Sequence, residues 1–230
     1  MSKIAIMGAM REEIEPLLAQ VENLNRVEYA DNTYYEATYK GKEIVIAYSK
    51  IGKVFASLTA TILIEKFGCD KLLFSGVAGA ISPDLKIGDL IIADSLCQHD
   101  LDITAFGHPH GYVPEGKVSI PTDKALREVA KQVAKQNGLE LKEGIIATGD
   151  QFVASVDRKS FISTTFNAHA LEMEGASVAV VCDALKVPFF ILRAISDSAN
   201  DEADMDFDTF LESSAKISAH FILDMVEAIE

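Results

Sequence analysis

Ala170-Leu171-Glu172-Met173-Glu174-Gly175 places two carboxylates two residues apart, beside an apolar run and directly before a row of small residues, Gly175-Ala176-Ser177-Val178-Ala179. Read as a strand end, its side chains alternate with period two, so Glu172 and Glu174 face one side of a sheet. The small residues that follow read as a helix able to pack closely on that sheet. Two acids on one face at the rim of a buried sheet are expensive unless something needs them. The spacing alone fits a solvated strand end equally well, because most charge lies at the surface. The flanking sequence has to decide.

Outward from this stretch, buried strands and helices alternate. Residues 188–195 (PFFILRAI) form a nearly continuous apolar strand ending in Ser196-Asp197, and 143–148 (EGIIAT) another, ending before Gly149-Asp150-Gln151-Phe152-Val153. Residues 71–75 (KLLFS) run into a Gly-rich turn, 76–80, of the kind that brings backbone close to a ligand. Residues 3–10 (KIAIMGAM) lead to a helix opened by Arg11-Glu12-Glu13, where acids suit the positive end of the helix dipole. Residues 33–40 and 43–49 read as a hairpin about Gly41-Lys42, and 87–96 as a strand. Helices are expected from about 54 to 67, stopped by Gly68, and from 122 to 137, with Thr122 as N-cap and Gly138 as stop. Two more are expected at 157–166 and at 207–229, the last capped by Asp206 after an acidic loop, 200–208. This order argues for an α/β domain on a mixed sheet. Ligands of such sheets gather outside the carboxyl ends of the strands. Those ends are 10–13, 51–52, 76–80, 151–153, 172–174 and 196–197, which bring acids, glycines and one aromatic ring together.

The bulk numbers narrow the partners. The chain has 230 residues, 49% hydrophobic and 24% charged, with no linker or low-complexity run, and reads as one domain over 1–230. A net charge of −14 argues against nucleic acid or an anionic membrane as partner and leaves a small molecule open. Cys69, Cys97 and Cys182 each sit in or beside an apolar segment without a CxxC, which fits free thiols in a reducing cytoplasm. The first residues carry too short an apolar run for a signal peptide, and no run reaches the ~18 apolar residues of a membrane helix.

Carboxylates without a metal motif suit acid/base chemistry on a bond that breaks through a cationic transition state, for which glycosidic bonds are the standard case. There is no G-x-S-x-G elbow, Walker loop or G-x-G-x-x-G. His99, Asp100, Asp102, His108 and His110 cluster in sequence, but no HExxH or helical His pair fixes a ligand geometry, and Pro109 and Gly111 are better read as a turn. No metal and no cofactor is expected.

Several pieces now fall into one register: Ile6-Met7-Gly8-Ala9-Met10 with Glu12-Glu13, Ser49-Lys50-Ile51-Gly52-Lys53, Ser75-Gly76-Val77-Ala78-Gly79, Thr104-Ala105-Phe106-Gly107, Gly149-Asp150-Gln151-Phe152-Val153, Glu172-Met173-Glu174 and Arg193-Ala194-Ile195-Ser196-Asp197. From about residue 3 onward the chain resembles the 5′-methylthioadenosine/S-adenosylhomocysteine nucleosidases. The resemblance implies the fold of the purine nucleoside phosphorylases, a three-layer α/β/α domain with a mixed, partly barrel-like sheet. It also implies a homodimer and irreversible hydrolysis of the adenine–ribose bond of an adenine nucleoside. By the same resemblance Glu13 matches the glutamate that activates water, and Asp197 the acid that protonates adenine at N7. Glu174 matches the residue that binds the ribose hydroxyls, with Met173 against the sugar and Gly79 in the turn beside it. Phe152 matches the ring that stacks on adenine, the Val153 backbone the group that reads the purine edge, and Ser196 stands with the binding residues. Met10, Ile51 and Phe207 would line the 5′ pocket, completed by Ile103, Phe106 and Pro114 of the neighbouring subunit.

Val77 and Gln151 depart from many members, which have serine and alanine there. With Gln98-His99-Asp100 they resemble the subgroup that also cleaves 6-amino-6-deoxyfutalosine in futalosine-route menaquinone synthesis. Two other readings stay in view. A phosphorylase needs a cationic cradle for phosphate, and the arginines here are Arg11, Arg26, Arg127, Arg158 and Arg193. A non-catalytic nucleoside-binding protein would have no need of both Glu13 and Asp197.

Overall fold

The computed structural model describes residues 2–199 and 203–229. Strands β1 (Lys3–Gly8), β4 (Lys42–Tyr48), β5 (Lys71–Ala80) and β10 (Phe189–Asp197) are nearly continuous apolar runs because both their faces are covered. Alternate residues go to opposite sides. Ala5, Met7, Val45, Leu72, Phe74 and Ile191 pack in one core with α2 (Lys53–Glu65) and α5 (Gly175–Leu185). Their neighbours Ile4, Ile6, Ile44, Leu73, Phe190 and Leu192 pack in a second core with α1 (Arg11–Leu18), α3 (Lys124–Gln136) and α6 (Ala203–Ala228). The result is the expected α/β/α layering.

The sheet is mixed and partly closed. β10 lies parallel to β5 and antiparallel to β6 (Leu90–Gln98); β6 lies parallel to β8 (Leu141–Thr148) and β8 parallel to β9 (Ala170–Glu172). The antiparallel pairing of β9 with β5 closes these strands into a barrel-like ring. From β5 the sheet continues through β1 and β4 to β3 (Asn32–Tyr39) and β2 (Glu22–Tyr29), with β7 (Ser119–Pro121) added beside β6. Among the described residues no helix is long and apolar enough to cross a membrane.

Four local expectations change. The Gly-rich stretch 76–80 is strand, not turn: β5 runs through it, with Gly79 paired to Asp197 on one side and Leu171 on the other. Asp123, not Thr122, caps α3 by accepting from the Leu126 N–H, while the Thr122 hydroxyl donates to the Ala93 carbonyl. Asp206 lies inside the first turn of α6, which already runs from Ala203; residues 200–202 of the expected acidic loop lie outside the described residues. β2 has no counterpart in the sequence reading, because it is an exposed polar strand without alternating burial.

Candidate active site

The carboxyl ends of β1, β5, β9 and β10 meet the first turns of α1 and α6 around a cavity of about 280 Å3. Glu13, Glu174 and Asp197 all line it, and all three are almost fully buried. Glu13 occupies the third position of α1 and turns back on the helix start. Its Oε2 accepts from the N–H groups of Ala9 (2.5 Å) and Met10 (3.0 Å), and its Oε1 from that of Val77 on β5 (3.0 Å). A carboxylate offers about four acceptor positions, so one is left for a ligand. The fit is tight: a Cβ on Gly76 would stand 2.8 Å from Oε1. Burial pushes the Glu13 carboxyl up from its ordinary value, against the Arg193 charge and the three N–H donors. The helix start therefore helps the anion, but burial outweighs it.

Asp197 ends β10, across the sheet from Gly79. Its Oδ1 accepts from the Ala199 N–H (2.8 Å) and its Oδ2 from the Ser196 hydroxyl (3.0 Å). Burial raises its proton affinity, and those two donors only partly oppose it. A Cβ on Gly79 would stand 2.6 Å from Oδ1. This strand pair is thus shaped to let the Asp197 carboxyl lie over bare backbone.

Glu172 and Glu174 divide their work. β9 stops at Glu172, and Glu174 is already the N-cap of α5, so strand alternation does not carry across. Glu172 turns inward. Its Oε2 accepts from the Glu174 N–H (3.2 Å), the Gly175 N–H (2.7 Å) and Arg193 Nη2 (2.7 Å), and its Oε1 from the Thr148 hydroxyl. Arg193, 1% exposed, also donates to the Phe74 and Leu192 carbonyls and lies 4.2 Å over the Phe74 ring. Among the described residues the Glu174 carboxyl accepts only from the Gly52 N–H, on its Oε1 (2.8 Å). Burial and the Glu172 charge push its carboxyl up to about 8, against that N–H and the Arg193 charge.

Arg193 is therefore held in a structural ion pair with Glu172. Arg11 is exposed, lies over the Tyr48 ring at 5.5 Å and lines a separate, smaller cavity. Among the described residues no lysine or arginine lines the acid-bearing cavity.

The apolar walls come from Met10, Ile51, Phe152, Val153, Met173 and Phe207, with Ser196 and Gly79 on the strand side. Phe152 and Phe207 meet edge to face, 5.6 Å between centroids. Ile103, Phe106 and Pro114 do not line this cavity; Phe106 is 81% exposed on the loop after β6. The histidine cluster disperses: His99 is buried against Arg158, His108 stacks on Tyr112, and His110 meets the edge of Phe161. Among the described residues no three His, Cys, Asp or Glu side chains are placed to hold a metal.

The family description "Phosphorylase superfamily" matches residues 3–227. The chain belongs to the phosphorylase superfamily. Within it, the chain is similar to named nucleosidases. It is 58% identical over 229 residues, covering both chains fully, to the aminodeoxyfutalosine nucleosidase of Campylobacter jejuni. It is 40% identical over 227 residues, 98% of this chain and 100% of the relative, to the 5′-methylthioadenosine/S-adenosylhomocysteine nucleosidase of Staphylococcus aureus. A solved mutant of the Helicobacter pylori methylthioadenosine nucleosidase, with 5′-methylthioadenosine in its active site, matches with a TM-score of 0.97 at 49% identity, covering both chains fully.

Six residues of the lining, Ala9, Val77, Ala78, Gln151, Leu171 and Glu172, lie outside the expected site residues. Glu172 carried a signal in its spacing from Glu174. Val77 stands out in the sequence as a departure from the family pattern, but its bond to Glu13 is made by a backbone N–H, which no side chain announces.

Proposed function

We propose that this chain hydrolyses the N-glycosidic bond of 5′-methylthioadenosine, S-adenosylhomocysteine and related 5′-substituted adenine nucleosides, 6-amino-6-deoxyfutalosine included, releasing adenine and the free 5′-substituted ribose. The observation that carries this reading is the set of three buried acids around a cavity with no lysine or arginine in its described lining. Phosphate would meet carboxylates there, whereas water would meet a base.

In this mechanism Asp197 delivers a proton to N7, so that adenine departs neutral; its raised proton affinity suits an acid. Glu13, with one acceptor position free, takes the proton of the attacking water. Glu174 holds the ribose hydroxyls, and as the carboxylate its interaction strengthens when positive charge develops on the sugar, which is selective stabilisation of the transition state. Met173 packs on the sugar, Gly79 and Ser196 keep the strand side close, Phe152 stacks on the base and the Val153 backbone reads its edge. Met10, Ile51 and Phe207 receive the 5′ group.

We infer that the chain works as a cytoplasmic homodimer and as a single domain. The 81% exposure of Phe106 and the outward apolar face of α2 (Val54, Phe55, Leu58) support the dimer. Ile103, Phe106 and Pro114 would then complete the partner's 5′ pocket.

The test is adenine release in phosphate-free buffer from 5′-methylthioadenosine and from aminodeoxyfutalosine at equal concentration. Release from both is expected. Release from methylthioadenosine alone removes the broad 5′ tolerance, and release only on adding phosphate overturns hydrolysis.

A further inference from the structure

Two cations behind the cavity serve none of the three acids directly. α4 (Val156–Phe166) carries Arg158 and Lys159 in its first turn, at the helix end where the backbone dipole disfavours positive charge. Among the described residues neither forms an ion pair with a carboxylate. Both reach sideways to the segments that face the cavity. Arg158 donates from Nη2 to Nδ1 and the carbonyl of His99 (3.0 Å each) and from Nε to Gln151 Oε1 (3.2 Å). Lys159, half-buried, donates from Nζ to the Ser198 carbonyl at 2.7 Å.

Ser198 lies between Asp197 and Ala199, and Ala199 adopts φ +47°. A non-glycine residue in this left-handed region is strained and persists only where its surroundings hold it. One tie is the Ala199 N–H on Asp197 Oδ1 (2.8 Å), which is internal to the turn. Lys159 is a tie from outside, and it anchors the turn to a helix packed through Ile162 and Phe166 in the core behind β8 and β9.

We propose that Lys159 is a positioning residue for Asp197: by holding the Ser198 carbonyl it fixes the 197–199 turn and so aims the Asp197 carboxyl into the cavity. The two groups also feel each other electrostatically. Burial lowers the proton affinity of Lys159 and Asp197 raises it, while the Lys159 charge pulls that of Asp197 down. The inference rests on Asp197 acting as the acid in the proposed reaction.

The experiment compares Lys159→Met, Lys159→Gln and Lys159→Arg with the wild-type chain, using kcat and KM for adenine release from 5′-methylthioadenosine, with thermal melting of each. A misaimed catalytic group costs rate rather than binding, so Lys159→Met is expected to lose roughly tenfold or more in kcat with KM changed less than about twofold. Lys159→Arg keeps a charged donor and is expected to recover most of the kcat, with Lys159→Gln between them. A Lys159→Met or Lys159→Gln kcat within about twofold of wild type would overturn the proposal. So would an Lys159→Arg chain as slow as Lys159→Met. Failure of the positioning role leaves wild-type release intact, whereas failure of the proposed function removes release from every chain and the positioning role with it.

Discussion

Gly79→Ala tests the site with a single methyl group. The backbone of β5 at Gly79 needs no left-handed conformation, so alanine introduces no torsional strain there. What it introduces is contact. Its Cβ would stand 2.6 Å from Asp197 Oδ1, 3.2 Å from Ala199 Cβ and 3.3 Å from Asp197 Cγ, where ordinary contact begins at 3.4 Å. The carboxylate oxygen therefore has to retreat by about 0.8 Å (3.4 − 2.6). The retreat also strains the 2.8 Å bond that Oδ1 accepts from the Ala199 N–H. A displacement of about 1 Å at a reacting group costs on the order of 10²-fold in rate, or ~2.7 kcal/mol of barrier.

The expected outcome is a kcat for adenine release lower by roughly 10²-fold, with KM within about threefold, because only the acid has moved. The assay is steady-state release from 5′-methylthioadenosine, with melting temperature as the control for folding. A Gly79→Ala chain that melts like wild type and turns over within about threefold of it would refute the idea that this glycine sets the position of the acid.

Glu13→Gln replaces one of the two oxygens that accept from three backbone N–H groups with an NH2 that must face at least one of them; kcat is expected to fall by about 10²–10⁴-fold, measured by single-turnover adenine release. Arg193→Met leaves Glu172 buried without its cation and is expected to destabilise the chain by about 3–5 kcal/mol, read from urea denaturation midpoints. Glu174, raised to about 8, keeps a proton in the folded chain at pH values where the unfolded chain has lost it. Its contribution to stability is full below the ordinary carboxylate range and is lost as pH rises through about 8. The stability of wild type relative to Glu174→Gln is therefore expected to fall between about pH 5 and about pH 8 without ligand, and a flat difference would refute the shift.

The sequence is most legible where burial is two-sided. β1, β4, β5 and β10 carry unbroken apolar runs, so their existence and layering follow from composition alone. It is least legible at β2, which packs only Val27 against the core and is placed by a turn through Ala30 and Asp31, both at positive φ. Two consecutive left-handed residues suit a tight hairpin turn, but Ala-Asp lacks the Asn-Gly or Asp-Gly signature that would announce it. The stretch 76–80 misleads for a different reason. Its glycines look like a turn, yet they are small because Glu13 and Asp197 lie against the strand there. That requirement comes from residues more than sixty positions away, which no local reading contains. The acids were found because strand ends could be listed; their partners were not, since most are backbone N–H groups supplied by the fold.

Those partners separate the roles of acids whose burial is alike. Glu13, Glu174 and Asp197 all have raised proton affinity, so burial cannot by itself say which is base and which is acid. Donors can. Glu13 has three backbone N–H groups and feels the Arg193 charge, all of which favour the anion. Among the described residues Asp197 accepts from one backbone N–H and one hydroxyl, and Lys159 holds the adjacent carbonyl rather than the carboxylate. Glu174 has one N–H and a negative neighbour in Glu172. Arg193, held by Glu172, lowers the proton affinity of both Glu13 and Glu174 through its charge. In the proposed reaction the carboxyl with the most donors to its anion, Glu13, is the base, and Asp197, with fewer than Glu13, is the acid.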